Sequence, residues 1–574
     1  MAVRNADIAA VFDEIADLLE IEGANPFRIR AYRNAARFIG GLQRDVAAMV
    51  ARGEDLEELP GIGHDLAAKI VEIVETGGAA ALVKLRKRTP AGLVELLDVP
   101  GLGPKRVKTL YQDLDVHNLD QLHRAAKDGR IRALPGFGEK TERRILDHLE
   151  THRTAPSRFK RAAVAPVVDA LIEHLAASPG VGRVVAAGSY RRAKETVGDV
   201  DILATAAKGS PVMERFTGYE EVETVVSAGP TRATVVLGSG LPVDLRVVRE
   251  ESYGSALHYL TGSKPHNIRI RRLGVERGLK INEYGVFRGE RRIAGESEES
   301  VVCAVGLPFI PPELREDRGE IEAAAASRLP KLVELGDLKG DLHVHTKATD
   351  GRDTIREMAA AARTRGFSYV AVTEHSRHLT VAHGLDARRL RAQAEEIDRL
   401  NGERPGILIL KGIEVDILED GTLDLPDDAL GHLDLVVGAV HSRFNLPRAK
   451  QTERIMRAMD RPHFTMLAHP SGRLIDSREP YDVDMPRLIR HARRRGCYLE
   501  LNAHPERLDL LDVHCQLAKD EGVLVAINSD AHSTYDYDNL AFGVGQARRG
   551  WLEAKDVLNA RPLAELSALL KRTM

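Results

Sequence analysis

At 574 residues the chain is longer than one hydrophobic core organises, and three or four domains are expected. Its 43% hydrophobic and 29% charged residues are those of folded protein, and a net charge of −3 excludes a globally basic surface, so any polyanion contact must be local. Three scattered cysteines (Cys303, Cys497, Cys515) exclude a disulfide scaffold; with neither a leader-like start nor a long apolar run, a cytoplasmic, nucleoid-associated protein without a membrane partner is expected.

Residues 1–85 read as helices, with Ile8, Val11, Phe12, Ile15, Leu18 and Leu19 at helical spacing. Residues 25–39 interleave Arg28, Arg30, Arg33 and Arg37 with Phe27, Tyr32 and Phe38, which suits a nucleic-acid backbone and equally a solvated helix face. A pattern of apolar-Pro-Gly-apolar-Gly then recurs at residues 59–63, 99–103 and 134–138, each time ahead of a helix-favouring segment. The pairs Gly61/Gly63, Gly101/Gly103 and Gly136/Gly138 let the backbone approach a ligand, and each following helix offers free N–H groups to an anion. Three copies resemble helix-hairpin-helix motifs and point to phosphate-backbone contacts that position DNA without reading it. Residues 1–85 and 86–154 are therefore expected to be two helical DNA-binding domains.

From 155 to 250 the pattern becomes helix plus short strands. Residues 188–203, GSYRRAKETVGDVDIL, place Asp199 and Asp201 on one face of a strand, about 7 Å apart along it. Paired carboxylates invite a hard cation such as Mg²⁺ or Mn²⁺. A third, Asp244, lies on another apolar strand, LPVDLRVV. Residues 251–313 mix turn residues with an Asn-Ile-Arg-Ile-Arg run, and 314–337 read as a linker with a short helix.

These segments resemble the family X DNA polymerases, the polymerase β type, over residues 1 to about 313. The resemblance implies an α+β nucleotidyltransferase palm (155–250) and thumb (251–313), with Asp199, Asp201 and Asp244 as catalytic metal ligands for Mg²⁺ or Mn²⁺. It implies dNTP contacts from Gly188, Ser189, Arg192, Gly198, Tyr259, Thr261, Gly262 and Asn267, a minor-groove contact from Arg271, and an Asn-Glu-Tyr signature at 282–284. Leu260 replaces the family's usual aromatic, and Lys264 replaces an acidic residue, which would let Lys264 touch the triphosphate. In the first domain Arg28 and Tyr32 fall on 5′-phosphate positions and Lys69 on a Schiff-base lysine; Asp65 stands where the family has a second basic residue, which puts lyase chemistry in doubt.

Beyond residue 338 a second chemistry begins. His343 and His345 alternate on a strand, and further apolar strands carry Glu374-His375, Glu414, His441, His469, Asn502 with His504, and Asp530 with His532. Seven strands with polar residues at their carboxyl ends, separated by helical segments, indicate a β/α barrel. The pattern resembles a polymerase-and-histidinol-phosphatase (PHP) domain, a distorted (β/α)₇ barrel with up to three Mn²⁺, Zn²⁺ or Fe ions. By that resemblance His343, His345, Glu414 and Asp530 hold one metal, Glu414 bridges to a second held by His441 and His469, and Asp350, His375 and His532 hold a third.

The architecture implied is a multidomain α/β protein that acts as a DNA-directed DNA polymerase on gapped or primed duplex with dNTPs. The barrel is then a metal-dependent 3′→5′ exonuclease and abasic-site endonuclease, in short-gap filling during base-excision repair, as a monomer alongside other repair proteins. A small-molecule phosphatase barrel and a catalytically silent scaffold are the alternatives.

Overall fold

A computed structural model describes residues 5–40, 42, 46–59, 61–76, 78–88, 93, 96, 99, 102–152 and 158–574. The chain forms two compact units, Met1–Ser157 and Arg158–Met574. Among the described residues no helix is long and apolar enough to cross a membrane.

The first unit is helical. Helix Asn5–Glu22 lays Ile8, Phe12, Ile15 and Leu19 against Tyr32, Ala35 and Ile39 of helix Pro26–Gly40, and against Ile70 and Ile73 of helix His64–Thr76. A second core gathers Val107, Leu110, Leu122, Ile131 and Ile145 from helices 104–152. Among their described residues the three repeats share the same hydrogen bonds. Ile62, Leu102 and Phe137 each donate to the carbonyl three residues back, on Leu59, Val99 and Leu134. The carbonyls of Gly63, Gly103 and Gly138 then accept the first bonds of helices His64–Thr76, Pro104–Leu114 and Glu139–His152. Gly101 lies outside the described residues.

The second unit opens with helix Arg161–Ala176, whose Val164, Val168, Leu171 and Leu175 cover a five-stranded sheet. Its strands are β1 (Val181–Ala186), β2 (Val200–Ala206), β3 (Val222–Ala228), β4 (Arg232–Leu237) and β5 (Pro242–Val248), in the spatial order β1-β2-β5-β4-β3. The central pair β2–β5 is parallel and the other pairs are antiparallel. Helices Tyr253–Thr261, Lys264–Glu276 and Glu298–Ala304 follow with a small three-stranded sheet.

The stretch 314–337, expected as a linker, is packed instead. Arg315 and Glu320 are fully buried, and Ile321 and Ala324 join Val302, Leu307 and Ile310 in one core. Arg315 pairs with Glu298 and donates to Ile310 O at 2.8 Å, while Glu320 meets His266 Nδ1 at 2.7 Å. Prolines and charges that look like a solvated connector are here buried ion pairs with partners on other elements.

Seven parallel strands then pair in sequence order: Gly340–Val344, Tyr369–Val372, Leu408–Asp416, Leu435–Ala439, Met466–Leu467, Tyr498–Asn502 and Val525–Asn528. All their residues except Leu408 and Lys411 are buried, as befits parallel strands covered on both faces. The first and seventh strands come together without a full ladder. His345 N donates to Ala531 O (2.8 Å), Leu342 N to Asn528 Oδ1 (3.2 Å), and Ser529 N to Asp341 Oδ2 (3.1 Å). The result is a nearly closed barrel.

Candidate active sites

The parallel pairing of β2 with β5 sets Asp201 directly beside Asp244 in register, and antiparallel β4 sets Thr234 on the other side of Asp244. Burial, then the carboxylates of Asp199 and Asp244, push Asp201 up to about 7. Burial and Asp244 also raise Asp199. Thr234 donates its hydroxyl to Asp244, and Arg232 Nη2 lies 3.5 Å from the same carboxylate. Neither partner was singled out in the sequence, although their strand is legible there. Three crowded carboxylates with one held partly protonated form a donor set that a divalent cation would complete.

Gly188 turns the chain at φ +60°, and a β-carbon there would fall 2.2 Å from Asp201 Oδ2. Only glycine lets the turn Gly188–Arg191 come this close to the carboxylates. Ser189 and Gly198 are half-buried on the segments leading to Asp199. Arg192, expected at the triphosphate, is buried; its Nη1 donates to Thr261 O (2.8 Å) and its Nε to Glu316 (2.9 Å). Arg191 spans Thr261 Oγ1 and both oxygens of Glu298 (2.6–2.8 Å), tying the turn to the helices beyond. Asn267 Nδ2 donates to Tyr259 O and Gly262 O, so its amide braces the Thr261–Gly262 turn. Arg271 stacks over the Tyr259 ring at 4.9 Å, and Lys264 is exposed at the start of its helix.

In the first unit Arg28 is exposed, and Lys69 Nζ lies 2.6 Å from Asp65, a pairing that occupies the amine. Tyr32, expected at a DNA phosphate, is corrected to a core residue. It is 2% exposed with its ring edge-on to Phe12 at 5.5 Å, because its helix turns this aromatic toward the apolar face. Gly61 and Gly63 are exposed ahead of their helix, as Gly136 is ahead of Glu139–His152.

The barrel collects its histidines and acids at the carboxyl ends of the strands, where the chain leaves the ladder. His343 Nε2 lies 3.6 Å from both Glu414 and Asp530, and His345 Nε2 3.2 Å from Asp530. Glu414 faces His469 at 2.9 Å, His441 at 3.4 Å and His375 at 2.6 Å. Asp350 faces His375 at 3.4 Å and His532 at 3.5 Å. All nine expected ligands therefore converge. Among the described residues three groups bring their donor atoms within 4.8 Å of one another: His343–His345–Asp530, His375–Glu414–His441, and His345–Asp350–His375–His532. His345 and His375 thus each stand between neighbouring groups rather than in one apiece.

Several of these donors are buried without a well-aligned hydrogen bond: Nε2 of His343, both nitrogens of His345, and Nδ1 of His375 and Oε2 of Glu414, which face each other at 2.6 Å. Buried polar atoms left this way fit metal ligation. Burial, then the rings of His375 and His532, push His345 down to about 3, which makes it a neutral donor. His469 and Asp530 sit at φ +26° and +54°, a conformation concentrated at functional sites. Asp350 is exposed and His532 half-buried, so the cluster opens to solvent on their side.

Outer partners orient these ligands, and of them only Asn502 was singled out in the sequence. Glu500 meets His343 Nδ1 at 2.6 Å, Asp416 meets His441 Nδ1 at 3.2 Å, and Asn502 Nδ2 donates to Asp530 at 2.9 Å. Glu374, beside a ligand in sequence, points elsewhere: Thr346 and Thr349 donate to it.

The families described as "DNA polymerase beta palm" and "DNA polymerase beta thumb" match residues 158–227 and 256–316, and "PHP domain" matches 341–504. "Helix-hairpin-helix domain" matches 3–79 and "SAM-like Helix-hairpin-helix tandem" 93–151. The chain is 41% identical to the DNA polymerase/3′-5′ exonuclease PolX of Bacillus subtilis, over 99% of this chain and 100% of that one. It belongs to the PolX family, the family X DNA polymerases with a PHP domain. The DNA polymerase lambda of Rattus norvegicus is 25% identical over 54% of this chain and 56% of its own. A probable phosphatase of Thermoanaerobacter sp. is 29% identical over 34% of this chain and 80% of its own. Asp244 lies past the matched palm segment, and Asp530 and His532 past the matched PHP segment; the fold carries all three back to their partners.

Proposed function

We propose that the chain is a DNA-directed DNA polymerase that fills short gaps, joined to a metal-dependent 3′→5′ exonuclease and abasic-site endonuclease in the barrel. Base-excision repair is the setting that uses both. The observation that carries the reading is the register pairing of Asp201 with Asp244 beside the Gly188 turn, with a second, histidine-rich donor cluster in the same compact unit.

Asp199, Asp201 and Asp244 would hold two divalent cations, Mg²⁺ or Mn²⁺, which supply charge neutralisation to the transferring phosphoryl group. Gly188 and Ser189 present the turn to the triphosphate, Arg192 and Lys264 add positive charge, and Gly198 keeps the approach to Asp199 open. Asp244 would take the proton of the primer 3′-hydroxyl. Tyr259, Thr261, Gly262 and Asn267 form the wall along the sugar, and Arg271 reaches the template side. Helix-hairpin-helix glycines and Arg28 hold the duplex by its backbone. Lys69 is set aside from lyase chemistry while Asp65 engages it.

In the barrel His343, His345, Asp350, His375, Glu414, His441, His469, Asp530 and His532 would hold up to three Mn²⁺, Zn²⁺ or Fe ions, which generate hydroxide for phosphoester hydrolysis. Likeness of the barrel to probable phosphatases favours one second reading, a small-molecule phosphatase. Purified full-length protein should extend and, without dNTPs, degrade a 3′-recessed duplex while leaving histidinol phosphate intact. Phosphate release from histidinol phosphate with an untouched DNA end would reverse the assignment of the barrel.

A further inference from the structure

The nucleotide-binding turn is clasped by the barrel. Helix Leu540–Arg549 ends on Arg549, which is 5% exposed and placed against the palm. Its Nη1 donates to the main-chain carbonyl of Arg192 (2.9 Å) and to Glu316 Oε1 (2.9 Å), and its Nη2 to Asp512 (2.8 Å). The Glu316 oxygen it touches is the one that accepts from Arg192 Nε. One carboxylate oxygen is thus shared by two guanidiniums, one from the palm and one from the barrel. Lys194 Nζ stands 3.9 Å from that oxygen, and Arg318 pairs with Asp512 at 3.0 Å. Around Glu316 and Asp512 the cations Arg192, Lys194, Arg318 and Arg549 are therefore in excess. Lys194, Arg318 and Arg549 border, with Glu316 and Asp512, a cavity of about 450 Å³.

The backbone of the turn depends on the same helix. Ala193, next to Arg192, holds φ +55°, a strained conformation for a residue with a β-carbon. A β-carbon on Gly545, one turn before Arg549, would lie only 3.1 Å from the Ala193 side chain, so the helix backs directly onto the strained residue. Arg473 adds a second strap, with two bonds to Glu195 (3.0 and 2.6 Å).

We propose that Arg549 is a positioning residue for nucleotide binding: by sharing Glu316 and fixing the Arg192 carbonyl, the barrel keeps the Arg192 charge available to a triphosphate. The proposal rests on the polymerase reading above. Without Arg549, Glu316 is left to Arg192, with only the more distant Lys194 beside it, the local positive excess drops by one charge, and the turn loses its brace. A polymerase core stripped of this contact binds dNTP poorly although every palm residue is intact.

The test is steady-state filling of a one-nucleotide gap by the full chain as wild type, Arg549→Ala, Glu316→Gln/Arg549→Ala and Asp201→Ala. Arg549→Ala should raise KM for dNTP about tenfold with kcat within about twofold. Removing the competing carboxylate in the double variant should return KM to within about threefold of wild type. Exonuclease rate on single-stranded DNA, read from the same preparations, should not move. An unchanged KM in Arg549→Ala overturns the proposal, as does a double variant no better than the single one. So does a parallel loss of kcat, exonuclease rate and thermal stability, which would make Arg549 merely structural. Gap filling that survives in Asp201→Ala, or is absent from wild type, instead removes the polymerase reading on which the proposal stands.

Discussion

Asp201 is the residue whose ionisation the fold controls most tightly on the palm. Burial, with Asp199 and Asp244 beside it, raises it from an ordinary carboxylate to about 7. A carboxyl group raised on folding stabilises the metal-free protein below about pH 4, and that contribution is lost as the pH rises through about 7. A divalent cation reverses the loss by binding the ionised form. The upward shift in Tm on adding Mg²⁺ should therefore be larger at pH 8 than at pH 6, and Asp201→Asn should abolish this pH difference. An identical shift at both pH values in wild type would contradict the assignment.

Asp199 and Asp201 are legible in the sequence because they alternate at the start of one strand, Asp199 just ahead of Val200–Ala206 and Asp201 within it. Glu500 is not: its strand, CYLELN, offers no local reason for a buried acid, and its partner His343 lies 157 positions away. Glu316 is hidden differently, in a proline- and charge-rich stretch that imitates a linker while pairing with Arg192 and Arg549. Tyr32 errs the other way, since basic neighbours made a core aromatic look like a DNA contact.

Among the elements, strand pairing does what no single motif can. Parallel β2 and β5 bring Asp244 to Asp201 across 43 positions of chain, a register the alternation of each strand permits but does not specify. The barrel is equally a product of pairing, and its weak point is the seam between first and seventh strands. Fully buried Asn528 accepts from Leu342 N and donates to Glu500 Oε1 at 2.9 Å, bridging the seam to the residue that orients His343. Asn528→Ala leaves the buried Leu342 N–H unpaired, takes one of two partners from Glu500 Oε1, which keeps His343 Nδ1, and opens a small void. It should cost about 2–4 kcal/mol of stability, measured by denaturant unfolding of the full chain. A loss below about 0.5 kcal/mol would mean that the seam is held elsewhere.

At the scale of the whole molecule, the palm and the barrel carry separate donor sets of different chemistry. One is three carboxylates on a mixed sheet; the other is six imidazoles and three carboxylates, Asp350, Glu414 and Asp530, at the rim of a parallel barrel. The helix-hairpin-helix repeats were readable as repeats, and their common hydrogen-bond geometry follows from one sequence pattern used three times. What sequence could not reveal is that Arg549, Arg473 and Glu506 of the barrel reach Arg192, Glu195 and Lys160 of the palm. Such contacts join residues hundreds of positions apart and leave no periodic signal. The account nevertheless requires that each site works by its own donors. A paired extension and degradation assay on a one-nucleotide gap, with Mn²⁺ and the variants Asp201→Ala and His343→Ala, tests this most directly. Asp201→Ala should lose extension and keep degradation, and His343→Ala should do the reverse. Loss of both activities in either variant would contradict two independent sites in one chain.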